Sequence, residues 1–294
     1  MVDFMQFAIN GILVGGLYAL VGVSIVLVFK ATQVVSLAHG QLLAFGALFF
    51  WIFLDQLNFP VWMALLGTIS LAALMGFITE RFTIRPLIGE SLFTAFLMTF
   101  SVFMFLDGFF QLYLSGQSRA YSPFLPEGEF NLSGLIISKG LLSSFTIAML
   151  IFVGLFAFFK FTRTGLQMRA TSENHILAQS AGIGVKKVFT LIWIISSAVV
   201  AVGGIACANV MDIHYPLPYI GIKGLIVAMF GGLESIGGAL MAGILLGLIE
   251  NLSSGYLDGP LGGGVKDAAA YVILLLILIV KPYGLFGLKK IERI

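Results

Sequence analysis

Asp107, Lys223, Glu250 and His39 lie in apolar runs of a 294-residue chain that is 59% hydrophobic and only 10% charged. An ionisable group in such a run marks a place where function or tight pairing offsets the cost of leaving water. Asp107 and Lys223 fall at similar depth in their runs and are expected to form an ion pair between helices, read first as a structural contact. Glu250 falls near the end of its run and reads as interfacial rather than as a proton carrier. His39 sits in Ser36-Leu37-Ala38-His39-Gly40-Gln41, where polar side chains and a glycine interrupt an apolar run. Two readings of it stand side by side. One is a helix end or bend lining a cavity, because irregular backbone survives in lipid only against protein or water. The other is a histidine hydrogen-bonded to a neighbouring helix.

Other chemistries lack their parts. A phosphate-cradling loop ends in Gly-Lys-Ser or Gly-Lys-Thr, and the dipeptide Gly-Lys occurs nowhere in the chain. ATP hydrolysis in this polypeptide is therefore not expected, and neither is any cofactor. His39, His175 and His214 are far apart and match no zinc-binding spacing, so no metal site is expected. Cys207 is the sole cysteine, which rules out a disulfide framework. A net charge of +2 from scattered basic residues gives no nucleic-acid surface.

The elements that must carry these residues are membrane spans. Apolar runs long enough to cross about 30 Å of hydrocarbon lie at about 4–29, 34–54, 61–79, 92–114, 140–159, 188–210, 236–252 and 268–280. A shorter run, 219–230, ends at Gly231-Gly232 and reads as a short span, a broken helix or a re-entrant segment. The fold expected is an all-α polytopic bundle of eight or nine crossing helices, a single membrane domain over residues 1–294 in contact with the lipid bilayer. The first run lacks the flanks of a removable signal peptide and reads as the first span.

Short loops rich in Lys and Arg stay in the cytoplasm. Loop 160–187 carries Lys160, Arg163, Arg169, Lys186 and Lys187 against Glu173 alone. Alternating from that loop places twelve of the sixteen basic residues inside, including Lys289, Lys290 and Arg293 of the tail. This assignment requires 219–230 to cross and puts the N-terminus outside and the C-terminus in the cytoplasm. Trp51, Trp62 and Trp193 are expected at the interfaces. Gly11-xxx-Gly15 and Gly243-xxx-Gly247 place small residues on one helix face and read as close packing.

Within loop 160–187, Thr171 or Ser172 can cap a short helix, Glu173 suits its positive end and Gly182 can end it. Taken alone, such a helix reads first as lying on the membrane surface. Its small Ala178 and Ala181, beside Ile176 and Leu177, would also fit a groove on a partner.

Several ordered pieces resemble one family. They are Asn10-Gly11-Ile12-Leu13-Val14-Gly15-Gly16-Leu17-Tyr18-Ala19-Leu20, Leu37-Ala38-His39-Gly40-Gln41, Arg85-Pro86-Leu87, Gly165-Leu166-Gln167-Met168-Arg169-Ala170, Phe230-Gly231-Gly232-Leu233-Glu234-Ser235-Ile236-Gly237-Gly238-Ala239 and Lys281-Pro282-Tyr283-Gly284-Leu285-Phe286-Gly287. In order and spacing they resemble the LivH-type permease subunits of branched-chain amino acid ABC transporters, over nearly the whole chain. Gln41 stands where that family more often has an acid.

The resemblance implies an importer permease of the bacterial inner membrane. Its expected partners are a second related permease, two cytoplasmic ATP-binding subunits and a periplasmic amino-acid-binding protein, which would carry most of the selectivity. The candidate translocation path comprises Asn10, Tyr18, Ser36, His39 and Gln41. The segment 172–182 becomes a candidate coupling helix that docks on an ATPase through Glu173, Asn174, Ile176, Leu177, Ala178, Ala181 and Gly182. Alternatives are a permease for urea or short amides in the same family, or an ion-coupled secondary transporter, which normally needs ionisable groups near mid-membrane.

Overall fold

The computed structural model describes residues 2–87, 90–132, 134–173 and 175–287. The helices are α1 (Val2–Thr32), α2 (His39–Trp51), α3 (Val61–Ile78), α4 (Leu92–Leu114), α5 (Lys139–Phe161), α6 (Arg163–Glu173), α7 (His175–Ser180), α8 (Val185–Met211), α9 (Ile220–Gly231), α10 (Ile236–Leu261) and α11 (Val265–Val280). A wide turn, Ile52–Gln56, prolongs α2, and Thr79–Leu87 prolongs α3. Every expected apolar run forms a helix over most of its length, because in lipid the backbone must satisfy its hydrogen bonds within the segment; the exception is 34–38, which is irregular. Among the described residues, α1, α3 with its extension, α4, α5, α8 and α10 are long and apolar enough to cross a membrane. Serine caps start three helices: Ser91, Ser138 and Ser235 accept from the backbone N–H of Thr94, Leu141 and Gly238.

The bundle has a basic end and an acidic end. Lys30, Arg81, Arg85 and Lys160 mark the first, and Asp3, Asp55, Glu127 and Asp212 the second. Helix α1 is the axis, with nearly every residue from Leu13 to Val28 buried. It runs antiparallel to α10, and the two glycine pairs face each other there: a Cβ on Gly11 or Gly15 would press on the α10 backbone at Gly247–Leu248 or Gly243–Ile244. Helices α3, α4 and α5 bury only a narrow stripe each.

The described residues between α4 and α5 form a small cover on the acidic end. Its hairpin pairs β1 (Glu129–Leu132) with β2 (Leu135–Ser138) in antiparallel register, Glu129 opposite Ser138. Gln6 of α1 grips the Ile136 backbone from both sides, donating to its carbonyl at 2.5 Å and accepting from its N–H at 2.8 Å. Arg119 bridges Ile213 through the backbone, and Asp55 accepts from the Ser122 N–H.

At the basic end Glu80 is fully buried and holds Arg85 through two bonds of 2.9 Å, while Thr190 of α8 joins both. This clamp ties the end of α3 to the base of α8. Replacing Glu80 with Ala strands the guanidinium, and the expected cost is about 3 kcal/mol, the lower end for breaking a buried pair, because Arg85 keeps some exposure. Thermal unfolding of the purified variant in detergent measures it; an unchanged midpoint contradicts the clamp.

Candidate functional site between two half-helices

Two helices begin in the middle of the bundle rather than at its ends. Helix α2 follows the irregular segment 33–38, and α9 follows the irregular segment 212–219 with its tight turn at Leu217–Tyr219. Their depth is set by neighbours. Lys223 of α9 faces Tyr18, and Gly224 packs on Val21, both near the midpoint of α1. His39, the first residue of α2, meets Ser196 in the middle of α8. The two starts touch each other: Gly40 lies against the Pro218 carbonyl and Gly221, so close that a Cβ on either glycine would overlap the other strand of backbone. The run 219–230 therefore supplies the second half of a broken pass that carries the chain from the acidic end to the basic end.

Irregular backbone at this depth needs partners. The Thr99 hydroxyl of α4 accepts from the Leu37 N–H at 3.3 Å and lies 3.3 Å from the Val35 carbonyl. Neither α2 nor α9 has a side-chain cap, so two positive helix ends converge near one spot. Three polar groups surround it.

The first is a hydrogen-bond chain through His39. Ser196 spends its only proton on the Ser24 carbonyl at 2.8 Å, so His39 Nε2–H donates to Ser196 Oγ at 2.6 Å. In a neutral ring His39 Nδ1 is then the acceptor, and Ser36 donates to it at 2.9 Å. The imidazole is completely buried and tilted against Trp193 at 5.5 Å between ring centres. His39 is hydrogen-bonded to the neighbouring helix α8, as one of its two readings has it, and it also begins α2, the helix end of the other. Trp193, expected at an interface, is fully buried beside it.

The second group centres on Asp107. Gln41 Nε2 donates to its Oδ1 at 2.7 Å, and Gln111 Nε2 donates to its Oδ2. The buried Gln41 Oε1 has no hydrogen-bond partner among the described residues. The third group centres on Lys223, whose Nζ lies 3.1 Å from both Glu250 oxygens, 2.8 Å from Asp267 Oδ1 and 3.5 Å from the Tyr18 hydroxyl.

The expected Asp107–Lys223 pair is thus not formed. Each residue has nearer partners on other helices: α2 supplies Gln41 to Asp107, while α10 and α11 supply carboxylates to Lys223. Glu250 is also corrected, being completely buried rather than interfacial, because α10 continues eleven residues past it to Leu261. Of the expected path residues, Tyr18, Ser36, His39 and Gln41 surround the two half-helix starts. Asn10 lies apart, lining an open cleft at the acidic end with Asp3, Gln6 and Glu129. Sequence reasoning missed Ser24, Thr99, Gln111, Ser196 and Asp267. A serine inside the apolar run of α8 was the available signal for Ser196.

The candidate coupling segment divides into two helices. Thr171 and Ser172 belong to the last turn of α6 instead of capping a new helix, and Thr171 is buried. Asn174 lies outside the described residues. Helix α7 follows, and Gly182 ends it at φ +81°, a conformation suited to glycine. The Ile183 N–H returns to the Ala178 carbonyl at 3.0 Å. Leu177 and Ala181 are exposed, whereas Ala178 is packed inward.

The His39 chain holds the start of α2 in place. His39→Ala leaves the Ser36 hydroxyl unpaired and opens a void, at an expected cost of about 2–4 kcal/mol. Thermal unfolding of the purified variant in detergent checks this, and an unchanged midpoint contradicts it.

Comparison with known proteins agrees with this architecture. The solved PsaBC complex of Streptococcus pneumoniae bound to a Fab shares the fold at a TM-score of 0.51 and 14% identity, over 96% of this chain and 93% of that one. The high-affinity branched-chain amino acid transport system permease protein BraD of Pseudomonas aeruginosa is 26% identical, covering 99% of this chain and 98% of BraD. LivH of Escherichia coli K12, with the same description, is 27% identical over 99% and 98%. The probable branched-chain amino acid transport permease protein LivH of Methanocaldococcus jannaschii is 28% identical over 97% and 94%. Residues 7–281 match the family described as branched-chain amino acid transport system / permease component, and the chain belongs to that family of membrane permeases.

Proposed function

We propose that this chain is the translocating subunit of an ABC importer for branched-chain or related amino acids, moved by separate ATP-binding subunits that grip α7 and its terminal turn. A second permease completes the path and a periplasmic binding protein delivers the cargo. The N-terminus then lies outside and the C-terminus in the cytoplasm of a bacterial inner membrane, with the basic end inward. Apart from family membership, one observation supports the motor contact. Helix α7 sits at the basic end and leads through Gly184 directly into α8, whose Ser196 holds the start of α2 at mid-depth. Displacement of α7 is transmitted along a rigid helix to the place where both broken passes begin. Lever and gate are joined by one element.

The single native cysteine, Cys207, is buried, so an added thiol is unambiguous. Ala181→Cys is expected to cross-link to a cysteine on the ATP-binding subunit in the assembled complex, at a yield that changes on adding ATP. Asn58→Cys at the acidic end is the control. No cross-link from Ala181, or an equal one from Asn58, contradicts the proposed grip.

A further inference from the structure

Lys223 has one permanent and one removable partner. Glu250 is completely buried, while the Asp267 side chain is 73% exposed and Lys223 itself 17%. The Tyr18 ring, 5.3 Å from Nζ, holds the ammonium from a further side. Asp267 belongs to the first turn of α11, the most loosely seated of the described long helices, with Ala270 its only buried residue. Three consecutive glycines at positive φ, Gly262, Gly263 and Gly264, connect α11 to α10, and a Cβ on any of them would meet nothing within 4 Å. The first turn of α11 is held to α10 chiefly by Asp258, which accepts from the Val265 N–H at 2.9 Å, and the glycines before it leave room for it to hinge.

From this asymmetry we infer that Lys223 is a seat for the substrate's α-carboxylate, and that Asp267 is its resident occupant, displaced when substrate arrives. It rests on the reading of the chain as an amino-acid permease. Exchange suits the surroundings: one carboxylate leaves as another enters, so the net charge around the Lys223–Glu250 pair stays constant in an apolar site. Glu250 keeps the seat neutral enough to let the arriving group go again. A carboxylate is common to all α-amino acids, so this seat reads the backbone of the cargo rather than its side chain, leaving side-chain selection to the binding protein. Lys223 also stands one turn past the start of α9, beside the meeting point of the two half-helices.

The test uses the whole transporter in vesicles with its loaded binding protein, measuring radiolabelled leucine uptake and ATP hydrolysis together. Lys223→Met alone strands Glu250 and can fail to fold, so the decisive variant is Lys223→Met with Glu250→Gln, which removes both charges of the buried pair. Uptake by this double variant is expected to fall at least tenfold, with stimulated ATP hydrolysis kept within twofold. Asp267→Asn is expected to lower uptake less than threefold. Wild-type uptake by the double variant would show the pair to be structural and overturn the inference. So would a loss from Asp267→Asn as deep as that of the double variant. Vesicles with and without phosphatidylglycerol are expected to give the same deficit, and a deficit seen only with that lipid assigns the seat to an anionic headgroup and overturns the proposal. If the wild-type complex imports no leucine, the functional reading itself fails; if it does, a contrary result removes only the seat.

Discussion

Gly247→Leu is expected to yield no monodisperse protein. The α10 backbone at this position rests on Gly15 and the Gly11 carbonyl of α1, and any Cβ there overlaps backbone rather than a movable side chain. Overpacked sites that can relax lose about 1–3 kcal/mol. Here two helices must separate along the bundle axis, which puts the cost above that range. The partner substitution Gly15→Leu is expected to behave alike, since its Cβ meets Gly243 and Ile244 backbone. Gly154→Leu on α5, where an added Cβ meets nothing within 4 Å, is the control. Size-exclusion profiles of the three in detergent decide the matter. A well-folded Gly247→Leu protein would mean that α1 and α10 are not packed this closely.

The second large effect is expected at α7. Leu177 is 68% exposed, so Leu177→Glu leaves the fold of this chain intact. In the assembled importer it puts a carboxylate into the proposed contact with an ATP-binding subunit, where a desolvated charge without a partner is costly. Uptake is expected to fall at least tenfold, with the unfolding midpoint of the purified permease unchanged. Full uptake by this variant would move the motor contact elsewhere.

Much of the architecture is legible in the amino-acid sequence. Each apolar run became a helix over most of its length, because hydropathy reports on the lipid solvent and lipid permits little else. The two glycine pairs were readable as contact faces, and they meet each other on α1 and α10. Gly182 was readable as a helix end. What periodicity does not encode is which helix lies beside which. Asp107 and Lys223 matched in depth and charge, yet α4 and α9 present them to different neighbours, so Lys223 pairs across α10 and α11 instead. Glu250 looked interfacial because Asn251, Ser253 and Ser254 ended the apolar run, whereas the helix itself continued. The half-helix starts were partly hidden for a related reason. Val34 and Val35 are as apolar as any helical stretch, and only the polar cluster around His39 marked a break.

Gln41 illustrates how a local departure is completed by the fold. The resemblance leads one to look for an acid at this position. The structure supplies a carboxylate from α4 instead, with Asp107 accepting from the Gln41 amide at 2.7 Å. Sequence alone offered no link between the two, sixty-six residues apart.

The central claim is that this permease is a gate without a motor of its own. Leucine uptake into vesicles containing this chain and its partner permease, measured with and without the two ATP-binding subunits, tests that claim most directly. The account predicts uptake that needs those subunits, ATP and the loaded binding protein, and that stops when any one is withheld. Rapid uptake by the permeases alone, driven by a proton or sodium gradient, would contradict it.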